Sequence, residues 1–195
     1  RDTHVVVMHP KDPETLYLTT GFASTFRPGV YWSRDGGGSW EYRYRDMHPM
    51  YTWRICIDPV RPEVLHLVAY PYAPSDWHMP TGTGGTVLRT EDGGETWTKP
   101  YDGTHLPSVN YFPKIMPDYD SPGAVLFGLS PYLRPSTNPK DDLPLKYFNV
   151  NGFVSPSVDS PTEKGRIVRS GEDGKSWEVV LDNLPPFLDF LPLDS

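Results

Sequence analysis

Three eight-residue segments of this chain share side-chain chemistry as well as spacing: Ser33-Arg-Asp-Gly-Gly-Gly-Ser-Trp40, Thr90-Glu-Asp-Gly-Gly-Glu-Thr-Trp97 and Ser170-Gly-Glu-Asp-Gly-Lys-Ser-Trp177. Each sets a hydroxyl first, an acid two residues on, a glycine two further and an indole at the eighth place. A chain built this way is a tandem array, and an array constrains architecture far more tightly than activity. Turn chemistry explains the octet. Aspartate and serine side chains satisfy neighbouring backbone amides, glycines take φ > 0, and the tryptophan locks the turn onto its own sheet.

β-like runs flank every octet. Gly29–Ser33, Gly85–Thr90 and Gly165–Ser170 precede the three turns, and Trp40–Tyr44 and Trp177–Leu181 follow two of them. Two earlier runs complete a unit: His4–His9 and Thr15–Thr19 about Pro10-Lys-Asp-Pro13, then Trp53–Asp58 and Val64–Val68 about Pro59-Val-Arg-Pro62. Four strands per unit, A to D in order, make an all-β chain of antiparallel blades. The expected boundaries are blade one at about 3–46, blade two at about 52–101 and blade three at about 110–181. Blade three contains an insertion over 129–164, because Trp40 and Trp97 stand 57 residues apart and Trp97 and Trp177 stand 80 apart.

Four-stranded units with one signature turn each are the sequence mark of propeller blades. The pattern resembles the Asp-box, or BNR-repeat, β-propellers, a group that includes sialidases, xyloglucan-cleaving glycosidases, sortilin-type receptors and photosystem II assembly factors. The third copy departs from it, with Glu172 at the acid position and Asp173 beside it. The resemblance implies a ring of about seven blades, of which three and a half are expected here. A lone run over 187–193 reads as a closing inner strand, so the expected partner is a missing N-terminal half, as a separate or cleaved chain. Two copies of this chain would close poorly, because the runs at 5–8 and 188–193 would compete for equivalent places.

Formal charge is -7, and no Lys/Arg run is present, which argues against nucleic acid as a partner. No apolar stretch approaches the ~20 residues of a membrane span. The single Cys56 stands between Ile55 and Ile57 and reads as a small buried hydrophobe, so no disulfide forms within the chain. That argues against the sortilin-type receptors. Compartment is not determined by these features, with secretion or the periplasm set ahead of the cytoplasm. No cofactor or metal is called for.

Strand alternation puts the A–B and C–D turns on one face and the B–C and D–A connections on the other. All the irregular segments fall on the second face, and long loops in compact domains are usually functional. The candidate site is therefore the B–C/D–A face, at the mouth of the central channel. Its substrate-binding candidates are Trp53, Arg54, Tyr72, Trp77, His48, His105, Tyr132 and Arg134, aromatic and charged groups suited to sugar rings that stack on C–H faces and bond through hydroxyls. Its catalytic candidates are Asp76 and His78, an acid and an imidazole flanking Trp77 in one insertion, with Asp2 and Asp189 as a carboxylate pair near strand starts. Packing and loop pinning compete with function for each of these residues.

His4, His48, His78 and His105 could converge on a metal, yet no metal-binding spacing supports it and loop hydrogen bonding is the stronger reading. The octet acids Asp35, Asp92 and Glu172 are structural. A sialidase would show an Arg-Ile-Pro segment, whereas Arg54-Ile55 is followed by Cys56. The first function expected is a carbohydrate-directed propeller, glycosidase-like if an enzyme. The alternative is a non-catalytic scaffold that binds a protein or glycan, including assembly with the missing half.

Overall fold

A computed structural model of the protein describes residues 2–21, 27–44, 51–73, 85–99, 110–111, 114–131 and 164–185. Twelve strands and no helix are found among them, in three antiparallel sheets. The first is β1(Thr3–His9), β2(Asp12–Thr20), β3(Gly29–Ser33) and β4(Glu41–Tyr42), paired in that order. The second is β5(Tyr51–Ile57), β6(Leu65–Tyr70) and β7(Thr86–Thr90), with its fourth strand reduced to a bridge between Arg89 and Thr98. In the third, β8(Asn110–Tyr111) and β9(Ile115–Pro117) both pair with β10(Val125–Pro131), followed by β11(Gly165–Ser170) and β12(Trp177–Leu184). Chain order equals spatial order in each sheet, the meander expected of a blade.

The first strands of the sheets lie side by side, β1 against β5 and β5 against β9, so the blades fan out from a shared inner edge. The core lies between blades. Tyr17, Val30 and Tyr44 of blade one pack with Ile55, Ile57, Leu65, Leu67, Leu88 and Trp97 of blade two. Cys56, Val68 and Val87, from the opposite side of blade two, pack with Ile115, Val125, Phe127 and Val168 of blade three. Blade two is consequently apolar on both faces. Its β6 is buried at every position, which the period-2 pattern of a half-exposed strand would not give.

The signature turns form as their chemistry requires in the first two copies. Ser33 Oγ donates to Asp35 Oδ1 (2.8 Å) and accepts from Gly37 N (2.8 Å), and Asp35 accepts from Ser39 N and Ser39 Oγ at 2.8 and 2.7 Å. Thr90, Asp92, Gly94 and Thr96 repeat these contacts at 2.6–3.0 Å. Gly37 and Gly94, at φ 95° and 91°, hold backbone conformations closed to most side chains. The third copy is built differently. Asp173, not Glu172, caps the turn by accepting from Lys175 N (2.9 Å), while Ser170 Oγ turns away to accept from Val125 N.

The expectation that each tryptophan pins its own turn holds for Trp40, whose Nε1 donates to Gly37 O (3.0 Å). It fails for Trp97. That indole reaches across to blade one and donates to Arg43 O (2.9 Å), because the face it stands on is closed by the neighbouring blade.

Candidate functional site

Hydrogen bonds between turns place the A–B and C–D corners on one side. Lys11 reaches Val60 O from blade one to blade two, and Arg61 reaches Pro122 O and Glu172 O from blade two to blade three. Arg89, an ion-pair partner of Glu91, also donates to Gly123 O (2.7 Å) and Glu172 O (3.0 Å). Arg61 and Arg89 engage backbone carbonyls at the blade 2–3 seam and act as structural bolts. Octet acids sit on this side. Hydrogen bonds from Ser39 N, Ser39 Oγ and Ser33 Oγ hold the Asp35 carboxyl down at about 2. Burial pushes the Asp92 carboxyl up, but bonds from Thr90 and Thr96 outweigh it and leave it lowered. Both are committed to backbone and hydroxyl partners.

The opposite ends of the strands carry a different chemistry. There Asp2 precedes β1, and its carbonyl accepts from Gly21 N (2.8 Å) at the end of β2. Any side chain at Gly21 would overlap the Asp2 carboxylate and the Tyr51 ring, so glycine is what admits both. His4 lies beneath, with its side chain buried. Its Nδ1 donates to Thr52 O (2.5 Å) on β5, and its Nε2 faces Asp2 Oδ1 at 3.1 Å. Both ring nitrogens thus meet oxygen atoms. Two aromatic rings enclose the imidazole, Tyr51 at 4.5 Å and Trp53 at 4.8 Å between centroids, and they stack on each other at 6.0 Å.

Backbone polarity is satisfied around this cluster by threonines. Thr52 Oγ1 accepts from Thr20 N (3.0 Å) and lies 2.8 Å from the carbonyls of Thr20 and Gly29, and Thr19 Oγ1 donates to Trp53 O (3.3 Å). The inner strands of blades one and two are thereby joined at the loop face by side chains rather than by a shared ladder. The chemical outcome is a partly exposed carboxylate, Asp2, backed by a buried imidazole that holds it in place and can exchange a proton with it.

Among the sequence candidates, the structure brings Asp2 and Trp53 together through His4. Trp53 is buried in the core between blades two and three, so its ring is a floor rather than an open stacking platform. Arg54 is half-buried with its guanidinium 5.2 Å from the Trp53 ring, and Tyr72 is exposed just beyond β6 at the same end. His48, Asp76, Trp77, His78, His105, Tyr132, Arg134 and Asp189 lie outside the described residues, as do the run 187–193 and insertion residues 132–163. The Asp2–His4 contact was not read from the sequence as a pair, and strand alternation does not announce it, because Asp2 lies just ahead of β1 and the register shifts between Thr3 and Val5. Among the described residues no three His, Cys, Asp or Glu side chains gather as metal ligands.

No family model matches the chain, and no curated protein does. Solved structures do. A GH74 enzyme from Niastella koreensis aligns over 92% of this chain and 22% of its own, with TM-score 0.57 and 13% identity. YCF48 from Cyanidioschyzon merolae aligns over 91% of this chain and 39% of its own, with TM-score 0.53 and 15% identity. A structure titled YCF48 bound to D1 peptide aligns over 91% and 40%, with TM-score 0.51 and 16% identity. The chain therefore spans between a fifth and two fifths of the chains it matches. At such identities the likeness shows fold alone: this is an all-β chain of antiparallel blades, similar to the propellers of the GH74 enzymes and of YCF48.

Proposed function

We propose that this chain is part of an Asp-box propeller directed at carbohydrate, acting at the loop face as a glycosidase-like site. One observation carries the reading: a partly exposed Asp2 carboxylate held against the buried His4 ring, at the strand ends where the blades' inner edges meet. Acid and imidazole in hydrogen-bond contact are the parts of a proton-transfer site. Tyr72, exposed just beyond β6, and Arg54, half-buried near the Trp53 ring, are the proposed contacts for sugar faces and hydroxyls at this end of the strands. Asp76, His78 and Asp189 remain its proposed companions, Asp189 as the second carboxylate that glycoside hydrolysis needs. The likeness to the GH74 enzyme is compatible with this chemistry.

The test is a panel of chromogenic glycosides with the protein that carries these residues. Asp2→Asn is expected to lower kcat/KM by about 100-fold or more while the thermal melt stays within a few degrees. Undiminished turnover in Asp2→Asn would remove Asp2 from the chemistry. A second reading, a scaffold that binds a protein segment through the same face, is favoured by the likeness to YCF48, which has been solved with a peptide. It predicts no hydrolysis on any glycoside together with a stoichiometric protein partner.

A further inference from the structure

The three blades are copies, so each position in one has a counterpart in the next. Aligning His4–His9 with Trp53–Asp58, and Thr15–Thr19 with Val64–Val68, sets Val6 against Ile55, Met8 against Ile57, Leu16 against Leu65 and Leu18 against Leu67. The octets set Trp40 against Trp97. In blade two these five positions are the face pressed on blade one, and all are buried. Ile115, Val125 and Phe127 of blade three, at three of the same places, press on blade two in the same way. Blades two and three thus each use one face to sit on the blade before it.

Among the described residues, none packs on that face of blade one. Val6 and Met8 are 56% and 60% exposed, where Ile55 and Ile57 are 4% and 9%. They pair across the sheet with Leu18 and Leu16, which puts all four side chains on one side. Trp40 adds its ring there, since Trp40 and Leu16 both lie against Gly37. Trp40 is 37% exposed against 7% for Trp97. The alternate residues of β1, Val5 and Val7, pack inward on blade two, so the outward apolar set is not a core that merely frays. An inner strand that is apolar on both sides is a strand built to be covered on both.

We propose that Val6, Met8, Leu16, Leu18 and Trp40 form the seat of a further four-stranded blade, supplied by the rest of the propeller rather than by a second copy of these residues. Continuity with the two blade seams already present identifies the occupant. Its contacting side should match the backs of blades one and two, where Val5, Val7 and Val30, or Cys56, Val68 and Val87, offer small side chains to the next blade's larger ones. The source follows from length, since the GH74 and YCF48 chains extend well beyond the portion that aligns.

Thiol labelling tests this without reference to any activity, and so stands apart from the loop-face reading. Cys56 is the only cysteine in the chain and is buried, with its thiol pushed up by that burial, so an introduced cysteine is the reactive one. Met8→Cys and, on an exposed turn, Val60→Cys are made in the protein that carries these residues, and maleimide incorporation is mapped by peptide. Met8→Cys is expected to react about 100-fold more slowly than Val60→Cys at every protein concentration. Equal rates would overturn the proposal. Protection that disappears on dilution would assign the face to a second copy and overturn it as well. Val6→Cys, on the same strand face, repeats the measurement should Met8→Cys fail to fold.

Discussion

Glycine 94 carries more of this structure than its size suggests. Its φ of 91°, a conformation that side chains rarely adopt, lets its amide turn back to Thr90 Oγ1. Gly94→Ala should therefore cost about 1–2 kcal/mol, read as a lower urea midpoint at unchanged slope. The acids of the same turns show how one residue type is bound by local chemistry. Asp35 accepts three hydrogen bonds from Ser33 and Ser39, whereas Asp2, of identical chemistry, has one oxygen on His4 and remains partly exposed. Reading Asp35 and Asp92 as structural from their repetition agrees with these contacts. Nothing in the repetition marked His4, because its counterpart in the next blade is Trp53.

Strand by strand, the alternation of apolar residues and the octet spacing recovered the meander closely. Gly29–Ser33 and Gly165–Ser170 are strands with those bounds. Strand β5 begins two residues ahead of the expected Trp53, since Tyr51 and Thr52 pair with Tyr70 and Ala69 beyond a bulge. The fourth strand of blade two shrinks to a single bridge at Thr98, although Trp97 at its start is among the most embedded rings. Its anchor lies in the neighbouring blade. Trp97→Phe keeps most of the packing yet strands the Arg43 carbonyl without its donor, and should cost about 1–2 kcal/mol in chemical denaturation. Trp97→Ala, which opens a cavity at the seam as well, should cost about 3–5 kcal/mol.

Over the whole molecule, stability resides in the seams between blades, and the blade 2–3 seam contains a buried titratable group. His66 is enclosed with Arg89, Asp58 and Arg61 around it; burial, then the Arg89 charge, lower its proton affinity to about 3. A histidine lowered on folding contributes stability in full above its ordinary value near 6.5, and that contribution is lost as pH falls from there toward 3. Urea midpoints should accordingly drop between pH 7 and pH 4. His66→Gln, which does not titrate, should flatten that part of the curve, and an unchanged acid limb in this variant would move the effect to the carboxylates.

By itself the sequence determined the repeat, the strands and the turns, because those obey short-range rules: period-2 alternation, glycine at positive φ, hydroxyl and acid capping of amides. It also separated the two faces, since alternating strands leave no choice once their order is known. Tertiary structure alone decided which side chains meet across a seam. His4 contacts Thr52, Trp97 contacts Arg43, and Arg89 contacts Gly123 over separations of 48, 54 and 34 residues. No local pattern encodes such partners, because each depends on the angle at which one complete blade settles on the next.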